Sequence, residues 1–161
     1  MKRILLAVMT ILLLSCSSSD SEEEMVIENI INPSFDTNLL IGAWVNQKVK
    51  LNGGQEFLYQ HNPNCPKDGF GFFNSEIRPF TYDELIHIND DCGTEGIGLE
   101  WRVNRNMLFL YFGESLILSY EVISLTATEF KAETSVDFDN DGSIDDVEIT
   151  AVKEDPYGWF D

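Results

Sequence analysis

From about Leu39 onward the chain repeats one pattern, in which a short run of β-forming residues is followed by turn residues and then by another run. The alternation is clearest after Leu116, Phe130 and Val147, where every second side chain is apolar. Beyond the N-terminal segment, no amphipathic helical stripe of about ten residues occurs. Short, evenly spaced strands with turns between them predict an all-β fold, either an antiparallel barrel or a sandwich.

The predicted strands alternate with recognisable turns. They cover residues 43–49, 55–59, 70–77, 80–88, 98–103, 107–112, 116–123, 130–136 and 147–151. Turn residues stand at 52–54 and 104–106. Thr81 and Glu84 also have the spacing of a helix capping box. Residues 85–88 continue with no helical stripe, so a strand is the favoured interpretation there.

The N-terminus has the form of a bacterial lipoprotein signal peptide. Lys2 and Arg3 precede an apolar run at 4–14, which is too short to span a membrane because spanning takes roughly 20 residues. The run ends in the string LLSC, which resembles a lipobox and predicts cleavage before Cys16. Acylation of Cys16 would anchor the chain in a lipid bilayer. The alternative, an ordinary helix ending in cysteine, explains fewer of these features together.

Residues 17–24 read SSSDSEEE and predict a flexible tether, because they offer nothing apolar to bury. An acidic run after the lipobox cysteine resembles the surface-export signal of lipoproteins in the Bacteroidota. It implies an outer-membrane lipoprotein exposed at the cell surface; the alternative is a spacer facing the periplasm. The chain thus divides into a signal peptide at 1–15, a lipidated cysteine and tether at 16–38, and one barrel domain at 39–161.

Charge and motif content exclude several functions. Twenty-eight acidic and ten basic residues give a net charge of −18, and loss of Lys2 and Arg3 makes it −20 (8 minus 28). Such a surface repels nucleic acid and anionic lipid headgroups. His61 and His87 are the only histidines, and no nucleophile elbow or glycine-rich phosphate loop is present. The sequence therefore predicts a protein that is not an enzyme.

Two cysteines remain after cleavage, Cys65 and Cys92, in a compartment that permits oxidation. A disulfide between them is the default prediction. The alternative is a zinc site, because His61 lies four residues before Cys65 and His87 five before Cys92. Structural zinc sites usually space a cysteine pair by about two to four residues, and this pair is far apart. The disulfide is favoured.

The string DFDNDGSIDDVE at 137–148 has the pattern of a calcium-binding loop, with oxygen donors at alternating positions and a glycine at the sixth. The predicted ligands are Asp137, Asp139, Asp141, Ser143 through its carbonyl, Asp145 and Glu148. Both flanks alternate like strands, so the loop resembles the strand-joining loops of integrin α-subunit propellers more than an EF-hand. A hairpin offers no bistable element, which favours structural calcium over a sensor. A merely solvated acidic turn would leave its charge repulsion uncompensated.

Several short motifs, in order, resemble the lipocalin-like domains of Bacteroidota lipoproteins over residues 39–152. They are LIGAW at 40–44, CPKD at 65–68 ahead of FGF at 70–72, DCG at 91–93, EW at 100–101, NML at 106–108 and YEVISLTATEF at 120–130. The resemblance implies an up-and-down barrel of about eight strands, with Trp44 packed across its floor. The chain departs from the family in lacking a C-terminal helix and in inserting the acidic loop.

Two functional hypotheses follow from this resemblance. In the first, the barrel holds a small apolar or amphipathic molecule, and the candidate lining residues are Trp44, Trp101, Phe109 and Tyr120. In the second, these side chains fill the core, and the protein contacts a protein partner or a glycan through its exterior. The aromatic cluster at 157–160 is predicted to close the barrel bottom, with a docking surface as the alternative. An interior cavity would distinguish the two hypotheses.

Overall fold

The structure is a computed structural model that describes residues 28–87, 92–138 and 141–160. Within these residues the chain forms ten strands and one short 3-10 helix, Thr37–Leu39. The strands are β1 (Ile30–Ile31), β2 (Gly42–Leu51), β3 (Glu56–Leu58), β4 (Gly69–Phe73), β5 (Thr81–His87), β6 (Thr94–Asn104), β7 (Met107–Phe112), β8 (Ser115–Leu125), β9 (Glu129–Val136) and β10 (Asp145–Lys153). Among the described residues, no helix is long and apolar enough to cross a membrane.

Eight of these strands close into an antiparallel barrel. From β4 to β10 each strand pairs with the next along the chain, and β2 pairs with β4 on one side and β10 on the other. Every connection is therefore up-and-down. The predicted all-β class and eight-stranded up-and-down barrel are confirmed. The short strand β3 extends the edge of β2 beyond the point where β4 ends.

The hairpin turns lie where turn residues predicted them. Asn52 and Gly53 both have positive φ, 51° and 67°, as a tight turn with a primed conformation requires. Arg105, between β6 and β7, has a φ of 58°. The segment with capping-box spacing is strand β5, in which Glu84 pairs with Ile97 of β6. Strand β4 ends at residue 73, four residues earlier than predicted, and residues 75–80 form bends and a turn before β5.

One end of the barrel is covered by residues 28–41, and we refer to it as the covered end. Strand β1 pairs in parallel with the end of β6, and Ile30 and Phe35 pack against the core. The indole N–H of Trp44 donates a hydrogen bond of 2.8 Å to the carbonyl of Leu40 at this end. The tether predicted at 16–38 thus extends too far, because residues 28–38 belong to the folded domain and bury apolar side chains there.

The C-terminal aromatic cluster packs on the outer surface of β4 and β5. The ring of Trp159 lies 5.8 Å from that of Phe73, and Tyr157 stacks on His87 at 6.1 Å. Phe73 and His87 alternate with the inward-facing residues of their strands, so these contacts are made outside the barrel. The expectation that this cluster closes the barrel bottom is wrong.

Candidate functional site

Cys65 and Cys92 form the predicted disulfide, with an S–S distance of 2.01 Å and a Cα–Cα distance of 5.4 Å. The bond joins the loop before β4 to the segment before β6. Because both sulfur atoms are oxidised, neither can act as a thiolate ligand. The zinc alternative with His61 and His87 is therefore excluded.

The two histidines instead hold a buried aspartate next to the disulfide. Asp68 is 4% exposed, and one carboxylate oxygen accepts from the backbone N–H of His87 at 2.8 Å and lies 3.1 Å from Nδ1 of its ring. The backbone N–H of Asp68 donates to Nδ1 of His61. The ring proton of His61 must then be on Nε2, which donates to the carbonyl of Asn46 at 2.7 Å. These contacts order the loop that leads into β4.

Three of the four predicted lining residues lie inside the barrel. Trp44, Trp101 and Tyr120 are buried and belong to one core cluster. Phe109 lies between the buried Leu108 and Leu110 of β7, and strand alternation places it on the outer face. The structure does not bring Phe109 together with the other three.

The interior near the covered end is packed with aromatic rings. Phe72 lies 5.2 Å from Tyr82, 6.1 Å from Trp101 and 6.3 Å from Phe130 between ring centroids. These separations are within the range of favourable aromatic pairs, whose edges and faces interlock. The described side chains at this end therefore fill the interior by contacting one another.

Three polar side chains, which we call the polar layer, adjoin this ring cluster: Tyr82 and Tyr120, whose rings belong to it, and Glu84. Tyr82 and Glu84 are alternate residues of β5, so both face inward, and the hydroxyl of Tyr82 interacts with Tyr120 and with the Glu84 carboxyl. Burial raises the pKa of Glu84, and the hydroxyl of Tyr82 partly offsets this rise. Burial also raises the pKa values of Tyr82 and Tyr120. The sequence analysis missed Tyr82 and Glu84, although the period of two across 82–84 would have placed them on one face.

Toward the opposite end, the inward-facing residues become aliphatic and partly exposed. Leu51, Leu118 and Val136 continue the inner faces of β2, β8 and β9 and are half-buried. At the rim, Ile86 and Phe112 are 39% and 69% exposed. From the covered end outward, the interior is thus aromatic, then polar, then aliphatic and open to solvent.

The acidic loop joins β9 to β10 at this same opposite end. One oxygen of Asp137 accepts from the N–H of Gly142 at 3.1 Å, and Asp141 accepts from the N–H of Ser143 at 2.7 Å. Asp145 is buried and accepts from the side chain of Asn52 at 2.7 Å. Gly142 has a φ of 90°, which fits the sharp turn predicted for it. Asp139 lies outside the described residues.

One carboxylate oxygen in this loop has no hydrogen-bond partner in the part of the chain that the structure describes. Oδ1 of Asp137 is buried, and within the described parts of the chain it accepts no hydrogen bond. Among these residues, no group of three or more His, Cys, Asp or Glu side chains is arranged to hold a metal ion. Glu148 lies on the outer face of β10, where its carboxylate pairs with Lys131 at 3.0 Å and Lys50 at 3.9 Å. The structure therefore does not bring Glu148 together with the loop aspartates.

No protein-family model and no curated protein matches the chain. Among solved structures it is similar to a lipocalin-like protein from Bacteroides uniformis, with 12% identity and a TM-score of 0.50, over 72% of this chain and 99% of that one. It is also similar to an uncharacterized protein from Bacteroides eggerthii, with 10% identity and a TM-score of 0.46, over 71% of this chain and 99% of that one. A third similar structure is bovine odorant binding protein complexed with its natural ligand, with 14% identity and a TM-score of 0.44, over 75% of this chain and 75% of that one. The first similarity supports a lipocalin-like barrel fold.

Proposed function

We propose that this protein is an acylated lipoprotein whose barrel binds a small apolar or amphipathic molecule. The observation that carries this proposal is the order of layers in the interior. A polar layer of Glu84, Tyr82 and Tyr120 lies beneath aliphatic walls that are open to solvent. Mostly apolar lining with a few placed polar groups is typical of small-molecule sites, and barrels of about eight strands hold one small ligand.

The polar layer sets the chemistry of the bound molecule. Because burial raises the pKa of Glu84, its carboxyl group takes up a proton more readily than an exposed one and can then donate a hydrogen bond. Tyrosine hydroxyls both donate and accept. A hydroxyl or carbonyl group on the ligand would meet this layer, while its apolar part would contact Leu118 and Val136.

Native mass spectrometry of a soluble form beginning at residue 17, purified without denaturation, tests the ligand proposal. We expect an added mass of a few hundred daltons that is lost on denaturation, within the range that such pockets accommodate. The variant Glu84→Ala should carry less of it, whereas the exposed Glu76→Ala should carry as much as the unmodified chain. A protein that carries no organic adduct after exposure to a cell extract would contradict this proposal.

The second candidate is a filled-core protein that contacts a protein partner or a glycan through its exterior. The observation that favours it is the aromatic packing near the covered end, where Trp44, Trp101 and Tyr120 are already occupied by contacts with other rings. On this alternative, Glu84 is a buried structural carboxyl. The Glu84→Ala comparison above distinguishes the two, because a molecule held on the exterior would be carried equally by this variant.

The acyl anchor is a separate part of the proposal and rests on the lipobox resemblance at 13–16. Cys16→Ala should move the protein from the membrane fraction to the soluble fraction, because acyl chains provide the anchoring free energy. Ser19→Ala is the matched control, since it also places an alanine close to the N-terminal segment and leaves both the anchor and the Cys65–Cys92 disulfide intact. Retention of the Cys16→Ala variant in membranes would exclude this anchor.

We further propose that the acidic loop binds a structural calcium ion through the aspartates at 137, 139, 141 and 145. The buried Oδ1 of Asp137 has no partner among the described residues, which supports this proposal, because such an oxygen is costly unless a hydrogen bond or a cation satisfies it. Calcium should raise the melting temperature relative to chelator, and D139N/D141N should abolish the difference without loss of β-sheet circular dichroism. The Glu148→Gln variant should retain the difference in melting temperature between calcium and chelator. Coincident melting curves of the unmodified protein in calcium and in chelator would contradict the proposal of a structural calcium ion.

A further inference from the structure

The barrel wall has a gap between β8 and β9 at the end opposite the covered end, which we call the open end. The pairing of these strands covers Glu121–Leu125 of β8 and stops at Glu133 of β9. Toward the open end, β8 begins at Ser115 and β9 runs to Val136, and in the described part of the chain no pairing joins these two stretches. We call the gap between them the cleft.

Irregular pairing on both sides of β8 accounts for the cleft. The register of β8 against β9 shifts after Val122, and its register against β7 shifts after Leu110. Such shifts bend a strand and increase its local twist. At the inner end of the cleft, the hydroxyl of Thr134 donates a hydrogen bond of 2.7 Å to the carbonyl of Ser119. A side chain thus joins the two strands where their backbone ladder stops.

The cleft passes through the barrel wall. It belongs to one cavity of about 620 Å³, within the usual range for small-molecule sites of roughly 300–1,000 Å³. The lining includes Leu118 and Thr134 from the inner faces of β8 and β9. It also includes Ile117 and Ser135, which alternate with them and face outward. A cavity lined by both faces of the same strands connects the interior with the outside.

An apolar path leads along β8 from the polar layer into the cleft. Tyr120 belongs to the polar layer, and Leu118 packs against the core next to it. Beyond them, Leu116 and Ile117 line the cavity and are 52% and 50% exposed. Because a strand rises about 3.3 Å per residue, Leu116 lies about 13 Å along β8 from Tyr120. An alkyl chain on this path would contact apolar side chains from the polar layer to the surface.

The outer rim of the cleft is acidic. Glu121, Glu133 and Asp146 line the cavity on its outer side. Lys50 also lines it, and its ammonium group lies 3.9 Å from the carboxylate of Glu148. These carboxylates and the net charge of −18 repel an anionic molecule. A ligand that passes through the cleft is therefore uncharged at its polar end rather than a carboxylate.

We propose that the cleft is the entrance to the interior and holds the alkyl chain of an uncharged single-chain amphiphile, such as a long-chain alcohol. The hydroxyl group lies at the polar layer, and the chain runs past Leu118 and out between β8 and β9 to Leu116. Paired strands lie about 4.8 Å apart, so the cleft begins narrow and admits a linear chain more readily than a ring. This inference rests on the ligand site proposed for the interior and specifies its entrance and the class of its ligand.

Fluorescence competition against N-phenyl-1-naphthylamine, with dodecan-1-ol and hexan-1-ol as probes, tests the path. The protein is the soluble form that begins at residue 17, which keeps every residue that the structure describes. Leu116→Ser should weaken dodecan-1-ol binding about five- to tenfold, because the end of the chain loses an apolar contact. It should leave hexan-1-ol binding unchanged, because that chain is too short to reach Leu116 from the polar layer.

Ile123→Ser is the matched control. Ile123 belongs to the same strand and is 48% exposed, but it lies beyond the cleft, in the stretch of β8 that pairs with β9. The variant should leave the affinity for both alcohols within about twofold, as is usual for exposed positions without a specific contact.

Two further probes test the class of the ligand. Cyclododecanol has the same number of carbon atoms and a hydroxyl group but no linear chain, and dodecanoate has the same chain with a carboxylate. Each should bind about tenfold more weakly than dodecan-1-ol or worse, because the cleft is narrow and its rim is acidic. Equally tight binding of either probe would overturn the proposed class.

Equal weakening of both alcohols by Leu116→Ser, or no weakening of dodecan-1-ol, would overturn the proposed entrance while an interior ligand site would stand. If dodecan-1-ol does not bind the unmodified protein, both the entrance and the ligand class are overturned. The native mass measurement then decides separately whether the interior holds a different molecule.

Discussion

Glu84 is a carboxyl group inside the barrel, and its position gives the domain a specific dependence on pH. Burial raises its pKa above the ordinary value of 4.5, and the hydrogen bond from Tyr82 lowers it by less. A carboxyl group with a raised pKa holds its proton longer in the folded state than in the unfolded chain. The stability that it contributes is therefore present at low pH and is lost as pH rises from 4.5 through the folded pKa.

Glu84→Gln should remove this loss of stability at higher pH, because glutamine does not ionise. We expect the variant and the unmodified protein to have similar free energies of unfolding at pH 4, and the variant to be the more stable at pH 7. Each tenfold difference in the acid dissociation constant of Glu84 between the folded and the unfolded state changes the free energy of unfolding by about 1.4 kcal/mol. Urea titrations at several pH values measure the difference between the two proteins, in which contributions from carboxyls that do not interact with Glu84 cancel. Glu76→Gln, at an exposed position, should show no such trend.

At the scale of elements, the C-terminal segment covers the outer face of β4 through a contact that only glycine permits. A Cβ atom on Gly71 would lie 2.7 Å from the ring of Trp159, closer than two such atoms can approach. The backbone of Gly71 has no positive φ, so the strain from alanine would come from contacts, first with the indole and then with the ring of Phe73 at 3.0 Å. Trp159 also stacks on Tyr157 at 5.0 Å.

A double-mutant cycle measures this contact. Gly71→Ala alone should destabilise the domain by about 1–3 kcal/mol, the usual cost of overpacking. In the Trp159→Ala background the same change should cost much less, which gives a coupling energy of about 1 kcal/mol or more. Chemical denaturation of the four proteins supplies all the values. Strict additivity would show that the segment does not pack on β4 in solution.

At the scale of the whole molecule, barrel closure and the disulfide constrain different parts of the chain. The pairing of β10 with β2 joins the two ends of the strand sequence and leaves no free edge between them. The disulfide closes a separation of 27 residues around β4 and β5. Its contribution comes mainly from restricting the unfolded chain, whereas barrel closure is a property of the folded state.

Replacing both cysteines with alanine should lower the free energy of unfolding by roughly 3–4 kcal/mol while the barrel remains folded. Urea unfolding with and without reducing agent measures the effect. Reductant should destabilise the unmodified protein and leave C65A/C92A unchanged, which makes the variant its own control. Loss of native circular dichroism in C65A/C92A would show that the barrel cannot form without this bond.

Much of the fold was predictable because its causes are local. Alternation along 130–136 and 147–151 and the turn residues at 52–54 and 104–106 act on neighbouring residues, and they predicted the strands and hairpins. Which side chains face the interior and which face solvent was harder to predict from the sequence. Residues 107–112 are apolar on both faces, so nothing in that string decided that Phe109 lies outside while Leu108 lies inside. The neighbouring strands decide it.

The sequence by itself determined the all-β class and favoured the pairing of Cys65 with Cys92, because strand spacing, turn chemistry and residue count are local or compositional properties. The up-and-down order of strands was implied only by the resemblance to lipocalin-like domains, since the strand pattern alone fits a sandwich equally well. Only the tertiary structure decided which residues meet across strands. The cleft between β8 and β9 depends on the registers of two strand pairs. Such a register is a contact between distant segments, chosen by barrel closure and core packing rather than by any local pattern.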